Sequence, residues 1–491
     1  MDVAQVRQKA RQGLKANAFR HVSVQAMGAV TTIVLARHLT PHQFGAFGAL
    51  SLATQFFTVW GGLGIGVVLI RQLEEPTEGE MNAAFGFQIL LSSLLCLALG
   101  FSAPLIEIFV RPAAAAINIS AATWVLAACA WLTSLRLIPN VRLQRGIDFV
   151  NLAWVEFAEN LAYNVTAIIL AFSGTGVWAL LVATLARAIT GCALLSVFSP
   201  WRPTRQIDLS RLRRVVALGF SFESIPIISF AKDLALPAFI GTTLGLTHLG
   251  YFVWARDLGT KFVTFGRLYG KVAFPTFSRL DEDESAVRDF LARSFQLLGL
   301  FYWPAVTSFI AISHPLIAIV FGEKWLPARP FLILFVFGLL QQIWSAPAWA
   351  LIQARSSGGW PLRTIGVMTV FEISAAYPAV RFLGLTGAGV VLFLSMFIFN
   401  CLALAEIRTS LPSYLARDFL RKAFLNGLVV AISLGVLHEQ NFSTSSAIIA
   451  MAGVCLIALI ANMALFRHDR QLAWSIIRQC LPLHASARRQ G

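Results

Sequence analysis

Five ionisable residues interrupt one apolar stretch at 247–272: Arg256, Asp257, Lys261, Arg267 and Lys271. Wound as a single α-helix with Arg256 at zero, Arg267 falls at ~20°, Lys271 at ~60°, Asp257 at ~100° and Lys261 at ~140°. All five then share a face, and Tyr251, Ala255, Leu258, Phe262 and Tyr269 take the other. Four cations beside one carboxylate is chemistry for holding an anion. Asp257 and Lys261 stand i,i+4 and can neutralise each other, which still leaves positive charge in excess. A charge at bilayer depth costs a few kcal/mol at least, so such a stripe must face protein or a hydrated cavity. The competing account is snorkelling toward helix ends. It suits Lys271 and Arg293, and it suits Arg256, Lys261 and Arg267 poorly.

Other apolar stretches carry polar residues of the same kind. Lys232 and Asp233 sit with Glu223 in 214–240, which Pro226 and Pro237 should kink. Arg187 stands alone in 175–198. Glu156, Asn160, Tyr163 and Asn164 are spaced along one helical face of 148–172. Glu372 lies in 361–381 and Asn400 in 385–407. Singly, each is explained by a hydrogen bond between helices. Together they suggest a hydrated central cavity, with Arg256, Lys261, Arg267, Lys232 and Arg187 as anion ligands. Glu156, Glu223, Asp257 and Asp233 are then the groups for ion coupling or for pairing those cations.

The elements that must position these residues follow from composition. Of 491 residues, 57% are apolar and 13% charged, and the mean hydropathy is +0.71. That is enough for roughly fourteen bilayer crossings at ~20 residues each. No soluble interior could hide so much apolar surface. The expected fold class is all-α: a polytopic membrane protein of about 14 transmembrane helices. A β-barrel would alternate apolar and polar residues, and these runs do not. The candidate helices are 14–36, 43–70, 82–110, 118–139, 148–172, 175–198, 214–240, 247–272, 285–312, 330–353, 361–381, 385–407, 418–437 and 444–466. A Pro/Gly-broken loop is expected at 314–329. WGGLGIG (60–66) places Gly62 and Gly66 as a GxxxG, most simply a helix-packing face, with a flexible bend as the sharper alternative.

The net charge of +15 reads as positive-inside bias rather than nucleic-acid binding. With the N-terminus inside, 27 Lys/Arg fall on cytoplasmic segments and 5 outside, so both termini are expected in the cytoplasm. The basic, amphipathic start lacks a secretory cleavage pattern, and the first helix is expected to act as the insertion signal. The basic linker 199–214 should divide an N-terminal bundle (1–198) from a C-terminal one (215–407). A helix pair (408–466) and an interfacial tail (467–491) would follow. A weak repeat supports two halves: LTPHQFGAFGALSLATQFF (39–57) and LTHLGYFVWARDLGTKF (246–262) both read Leu-Thr, then His, then an aromatic or apolar residue beside a glycine, Gly45 and Gly250, then a helix.

Six cysteines lie singly in apolar stretches, with no disulfide or metal spacing. Walker A and HExxH are absent, so no ATP hydrolysis, cofactor or metal is expected, and the chain is not read as an enzyme.

Five strings carry a family likeness: ARHLTPHQFGAF (36–47), LQRGIDF (143–149), GTGVWALL (174–181), LGYFVWARDLG (249–259) and VAFPTFSRL (272–280). In this order they resemble the polysaccharide biosynthesis (Wzx-type) flippases of the multidrug/oligosaccharidyl-lipid/polysaccharide exporter superfamily, across about residues 10–470. The resemblance implies two six-helix bundles around a central cavity, plus two C-terminal helices. It implies an inner-membrane flippase moving undecaprenyl-diphosphate-linked repeat units for exopolysaccharide, capsule or O-antigen synthesis. The partners would be the lipid-linked oligosaccharide and membrane lipids, with a polymerase and a chain-length regulator nearby. The alternative within the superfamily is an ion-coupled drug or metabolite antiporter, which calls for an acidic cavity where this one leans basic. A membrane-embedded glycosyltransferase would need long outer loops, and a scaffold would need no intramembrane charge.

Overall fold

The computed structural model describes residues 23–104, 107, 118–204, 209–261, 264–280, 283–355 and 359–411, with 421–422, 425–426, 453, 456–457 and 460. Among these the regular structure is helical throughout. In chain order the helices are α1 (23–38), α2 (Pro41–Gly62), α3 (Ile65–Arg71), α4 (Glu78–Phe101), α5 (Ile119–Ser134), α6 (Leu137–Arg145), α7 (Phe149–Phe172) and α8 (Val177–Phe198). They continue as α9 (Leu209–Thr243), α10 (Leu246–Thr260), α11 (Thr264–Leu280), α12 (Glu284–Leu316), α13 (Arg329–Trp344), α14 (Ala346–Arg355) and α15 (Gly359–Glu406).

Polar caps fix the helix starts, because the first N–H groups of a helix have no partner within it. Thr40 opens α2 in a reciprocal capping box with Gln43, and Pro41 takes the first turn, where its missing N–H costs nothing. Thr77 caps α4, Asn118 caps α5 and Asp148 caps α7. Asp283 caps α12; the Ser285 hydroxyl and the Ala286 and Ser285 N–H groups hold its carboxyl below the usual carboxylate range.

Seven stretches among the described residues are long and apolar enough to cross a membrane: α4, 119–145, α7, α8, 284–321, 323–344 and α15. On α4 the exposed apolar side chains Leu90, Leu94, Leu97 and Phe101 follow helical spacing. Leu161, Val165, Ile169 and Phe172 do the same on α7. Such outward apolar stripes belong against acyl chains. The expected helices 418–437 and 444–466, and the tail 467–491, lie almost wholly outside the described residues.

Several expected helices are broken. The run 43–70 ends α2 and restarts as α3, because Leu63 and Gly64 both adopt left-handed backbone (φ 41° and 64°). Gly62 and Gly66 therefore flank a break instead of lying on one GxxxG face. The run 247–272 is not one α-helix either: α10 ends at Thr260, Lys261 lies in a 3-10 turn, and α11 begins at Thr264. The single charged face drawn through Arg256, Lys261 and Arg267 does not survive that interruption. The run 330–353 divides at Ser345 into α13 and α14, and the expected 361–381 and 385–407 are two helical stretches within α15, parted by the non-helical backbone of Gly384 (φ 60°). The expected loop 314–329 is helical: a π-turn over Ile317–Phe321, then a 3-10 turn over Glu323–Ala328.

Packing divides the chain into two compact units, Met1–Trp254 with Thr369–Leu385, and Ala255–Met368 with Thr386–Gly491. In the first, Ile65, Leu69, Ala84, Ile138, Val141 and Val215 form a buried core joining α3, α4, α6 and α9. In the second, Phe277 of α11, Leu291 and Phe295 of α12, Leu351 of α14 and Ala403 of α15 do the same. Burying one such side chain contributes about 1.5–3 kcal/mol where water is the alternative.

Candidate functional site

In the first unit, Lys232 of α9 reaches two carboxylates. Its Nζ lies 3.2 Å from Asp233 Oδ1 and 3.6 Å from Glu372 Oε1. The Glu372 side chain is 1% exposed. Phe239 and Tyr377 pack edge to face between the same two segments, at 5.7 Å between ring centroids. A buried carboxylate persists when a cation lies opposite it, and Lys232 is that cation. Lys232 and Asp233, both candidates by sequence, are thus brought together, and Glu372 completes the group.

A second cluster centres on a residue that the sequence reading missed. Glu159 of α7 is buried, with a side chain 5% exposed, and it accepts a hydrogen bond from the Arg136 guanidinium between α5 and α6. Arg187 of α8 lies 3.8 Å from its other oxygen and is half-exposed. Gly191 leaves the room this pair needs, since a Cβ there would come within 2.2 Å of Glu159 Oε1. The signal is an acid one turn from Glu156 in an apolar helix, and its partner Arg136 comes from another segment. The Glu156 stripe divides differently. Glu156 is exposed, and the Asn160 and Asn164 amides donate to backbone carbonyls one turn back, each at 2.6 Å. Among the described residues, the bonds of these two asparagines stay within their own helix.

Glu223 of α9 works on the broken helix. Its Oε1 accepts from Gly64 N–H at 2.8 Å. One turn earlier on α9, Gly219 meets Gly64 so closely that a Cβ on either would lie 2.2–2.3 Å from a carbonyl oxygen of the other segment. Beside this break lies a cavity of about 410 Å³. Gly62, Gly64 and Gly66 line one side, Ser92 and Ser134 another, and Arg136 and Glu223 contribute its charges.

In the second unit, Lys261 Nζ donates to Asp257 Oδ2 at 2.7 Å, an i,i+4 ion pair. Lys261 is thereby neutralised locally. Arg256 is half-buried on the same helix. Arg267 lies in α11, and its side chain is outside the described residues, as is that of Lys271. Asn400 donates to Gln341 at 3.3 Å, a bond between α15 and α13.

Two arginines end short helices, Arg145 that of α6 in the first unit and Arg355 that of α14 in the second. Arg145, of the LQR string, donates to four backbone carbonyls: Leu69, Ile70, Gln72 and Glu74, at 2.9–3.2 Å. It gathers the end of α3. Arg355, in LIQAR, pairs with the Glu284 carboxylate and donates to Ser410, and Ser410 in turn donates to Glu284. Both arginines are structural ties between segments.

The arrangement places charge inside apolar helices long enough to cross a membrane. The chain shares its fold with the lipid II flippase MurJ in an inward closed conformation, at a TM-score of 0.74 over 94% of this chain and 99% of that one, with 15% identity. It also shares it with an inward-facing multidrug resistance MATE family transporter of the MOP superfamily, at 0.62 over 80% and 98%, again with 15% identity. These likenesses concern fold alone.

The sequence profile of the polysaccharide biosynthesis protein family matches residues 34–330, and the chain belongs to that family. Among its relatives are the succinoglycan biosynthesis transport protein ExoT of Rhizobium meliloti (strain 1021), 26% identical over 63% of this chain and 61% of ExoT. The teichuronic acid biosynthesis protein TuaB of Bacillus subtilis (strain 168) is 24% identical over 59% of each. The lipopolysaccharide biosynthesis protein WzxC of Escherichia coli (strain K12) is 22% identical over 72% of this chain and 71% of WzxC. The chain spans about three fifths of the length of the first two.

Proposed function

We propose that this protein is an inner-membrane flippase, with both termini in the cytoplasm, that moves undecaprenyl-diphosphate-linked oligosaccharide repeat units outward for exopolysaccharide, capsule or O-antigen assembly. It works by alternating access of two helix bundles, 1–198 and 215–407, joined by the basic linker 199–214. Carrying the reading is one observation: ionisable side chains lie inside helices apolar enough to cross a membrane, Glu159 in α7, Arg187 in α8 and Glu372 in α15. Such residues mark a hydrated route through the bilayer. A diphosphate and a glycan cannot cross hydrocarbon unaided, whereas a polyprenyl tail stays in it.

Arg256, Arg267 and Arg187 serve the cargo's acidic groups. Lys261 and Lys232 join them when their carboxylate partners are displaced or protonated. Asp233, Glu372, Asp257, Glu223 and Glu156 hold these cations or couple the cycle to an ion. A polymerase and a chain-length regulator act downstream. The relatives named for polysaccharide transport and synthesis favour this cargo over a drug, even though the fold is shared with multidrug transporters.

Deleting the gene in its own host should abolish surface polymer and accumulate lipid-linked repeat units on the inner leaflet. Unchanged polymer would refute the assignment.

A further inference from the structure

The cavity beside the α2–α3 break is chemically unlike the cationic groups assigned to the diphosphate. Its two charged lining residues, Arg136 and Glu223, cancel. Arg136 is moreover compensated from behind by buried Glu159. An anion entering here gains no net Coulomb attraction to offset its lost hydration. The remaining polar lining is neutral and bifunctional. Ser92 and Ser134 hydroxyls lie 2.9 Å apart, and each also faces a backbone carbonyl of its own helix, Ile89 at 3.1 Å and Trp131 at 2.6 Å, so what they offer a ligand is an oxygen lone pair that accepts. Asn140 Oδ1 accepts from Gln144 Nε2 at 3.1 Å, and its own N–H₂ has no protein partner among the described residues. Glu223 spends Oε1 on Gly64 and keeps Oε2 as an acceptor.

Between these polar groups lie apolar surfaces, Val67, Leu95 and Leu137, and the glycines 62, 64 and 66 of the helix break. Donors, acceptors and small apolar faces in alternation are what a sugar ring presents. The volume, about 410 Å³, falls within the range of small-molecule pockets.

We propose that this cavity binds an uncharged glycosyl group, the sugar end of the cargo, separately from the cationic residues that take its diphosphate. The inference rests on the flippase reading and names a second subsite for it. Glu223 then has two tasks: one oxygen fixes the restart of α3, and the other binds a sugar hydroxyl. On the proposed topology Arg136 and Asn140 lie at the cytoplasmic end of their helices, the side on which the repeat unit is built.

Cys96 lines the cavity and supplies the probe. The full-length protein, with Cys129, Cys192, Cys401, Cys455 and Cys480 replaced by Ser and Cys96 kept, is placed in phosphatidylcholine proteoliposomes. Alkylation of Cys96 by N-ethylmaleimide is followed by mass spectrometry. Octyl glucoside below its micellar concentration should slow it several-fold, and octyl phosphate should not. Glu223→Gln, which keeps an oxygen for Gly64, should weaken the glucoside effect. Ala130→Leu, which fills the cavity, should abolish it and reduce polymer export. Equal protection by octyl phosphate, or protection by neither amphiphile, overturns the proposal. If deletion abolishes polymer and Ala130→Leu restores it fully, the subsite is wrong and the transport reading stands. Glucoside protection in a protein whose deletion leaves polymer unchanged keeps the subsite and refutes the transport reading.

Discussion

Gly45 and Gly250 meet backbone to backbone. A Cβ on Gly45 would lie 1.8 Å from the Leu246 carbonyl oxygen, and one on Gly250 would lie 1.7 Å from that of Pro41. Each glycine closes its copy of the repeated Leu-Thr-His string, so the two copies cross where both helices begin. Only a residue without a side chain permits that approach. The expected result is that Gly45→Ala or Gly250→Ala costs ~1–3 kcal/mol or more through overpacking. Gly48→Ala should cost less, because its obstacle is a side-chain methyl of Val253 at 2.6 Å, not backbone. Thermal unfolding of the purified variants in lipid checks the order.

Glu159 and Arg136 act as one buried unit. Glu159→Ala leaves the Arg136 guanidinium without its carboxylate, and breaking such a pair from one side costs about 3–5 kcal/mol. Arg136→Met combined with Glu159→Leu should recover most of the loss, since neither charge then remains. A double-mutant cycle on thermal stability measures the coupling; additive losses would show that the pair is not a unit.

Arg145 requires a guanidinium. Its Nη1 donates to three carbonyls and its Nη2 to a fourth, an arrangement that a lysine ammonium cannot reproduce. Arg145→Lys should therefore behave like Arg145→Ala in expression level and unfolding temperature. A lysine variant matching the parent would mean that charge alone holds the end of α3.

Lys232 and Glu372 should show unequal single-mutant effects. Lys232→Met removes a cation 3.6 Å from buried Glu372 and should lose export. Glu372→Gln leaves Lys232 still beside Asp233 and should lose less. Polymer yield at matched protein level decides between the two.

Much of the architecture was written in apolar runs. The stretches at 148–172, 175–198 and 285–312 appear as α7, α8 and α12 within a few residues, because membrane burial acts on mean hydropathy. Breaks were not legible. Hydropathy does not register the left-handed Leu63–Gly64 pair or the turn at Ser345. At 314–329, by contrast, Pro315 and Pro327 suggested a loop that packing keeps helical. The site was legible in part. The i,i+4 spacing of Asp257 and Lys261 foretold their ion pair, since the 3-10 turn that follows Thr260 still sets Lys261 about one turn beyond Asp257. Glu159 was not found, because its partner Arg136 comes from another segment, and only tertiary packing brings the two together. Glu223 was recognised as unusual, but its role at Gly64 depends on a break that the sequence does not announce.

The central claim is that this chain carries a lipid-linked oligosaccharide from one leaflet to the other. Its most direct test is a leaflet assay in unilamellar proteoliposomes. These hold the full-length protein and an undecaprenyl-diphosphate oligosaccharide with a fluorophore on its sugar end. Added dithionite, which does not cross the bilayer, bleaches the exposed fluorophore. The account predicts that bleaching passes the level of protein-free vesicles and proceeds toward completion, and that Arg256→Ala slows the second phase. Bleaching that stops at the protein-free level would contradict it.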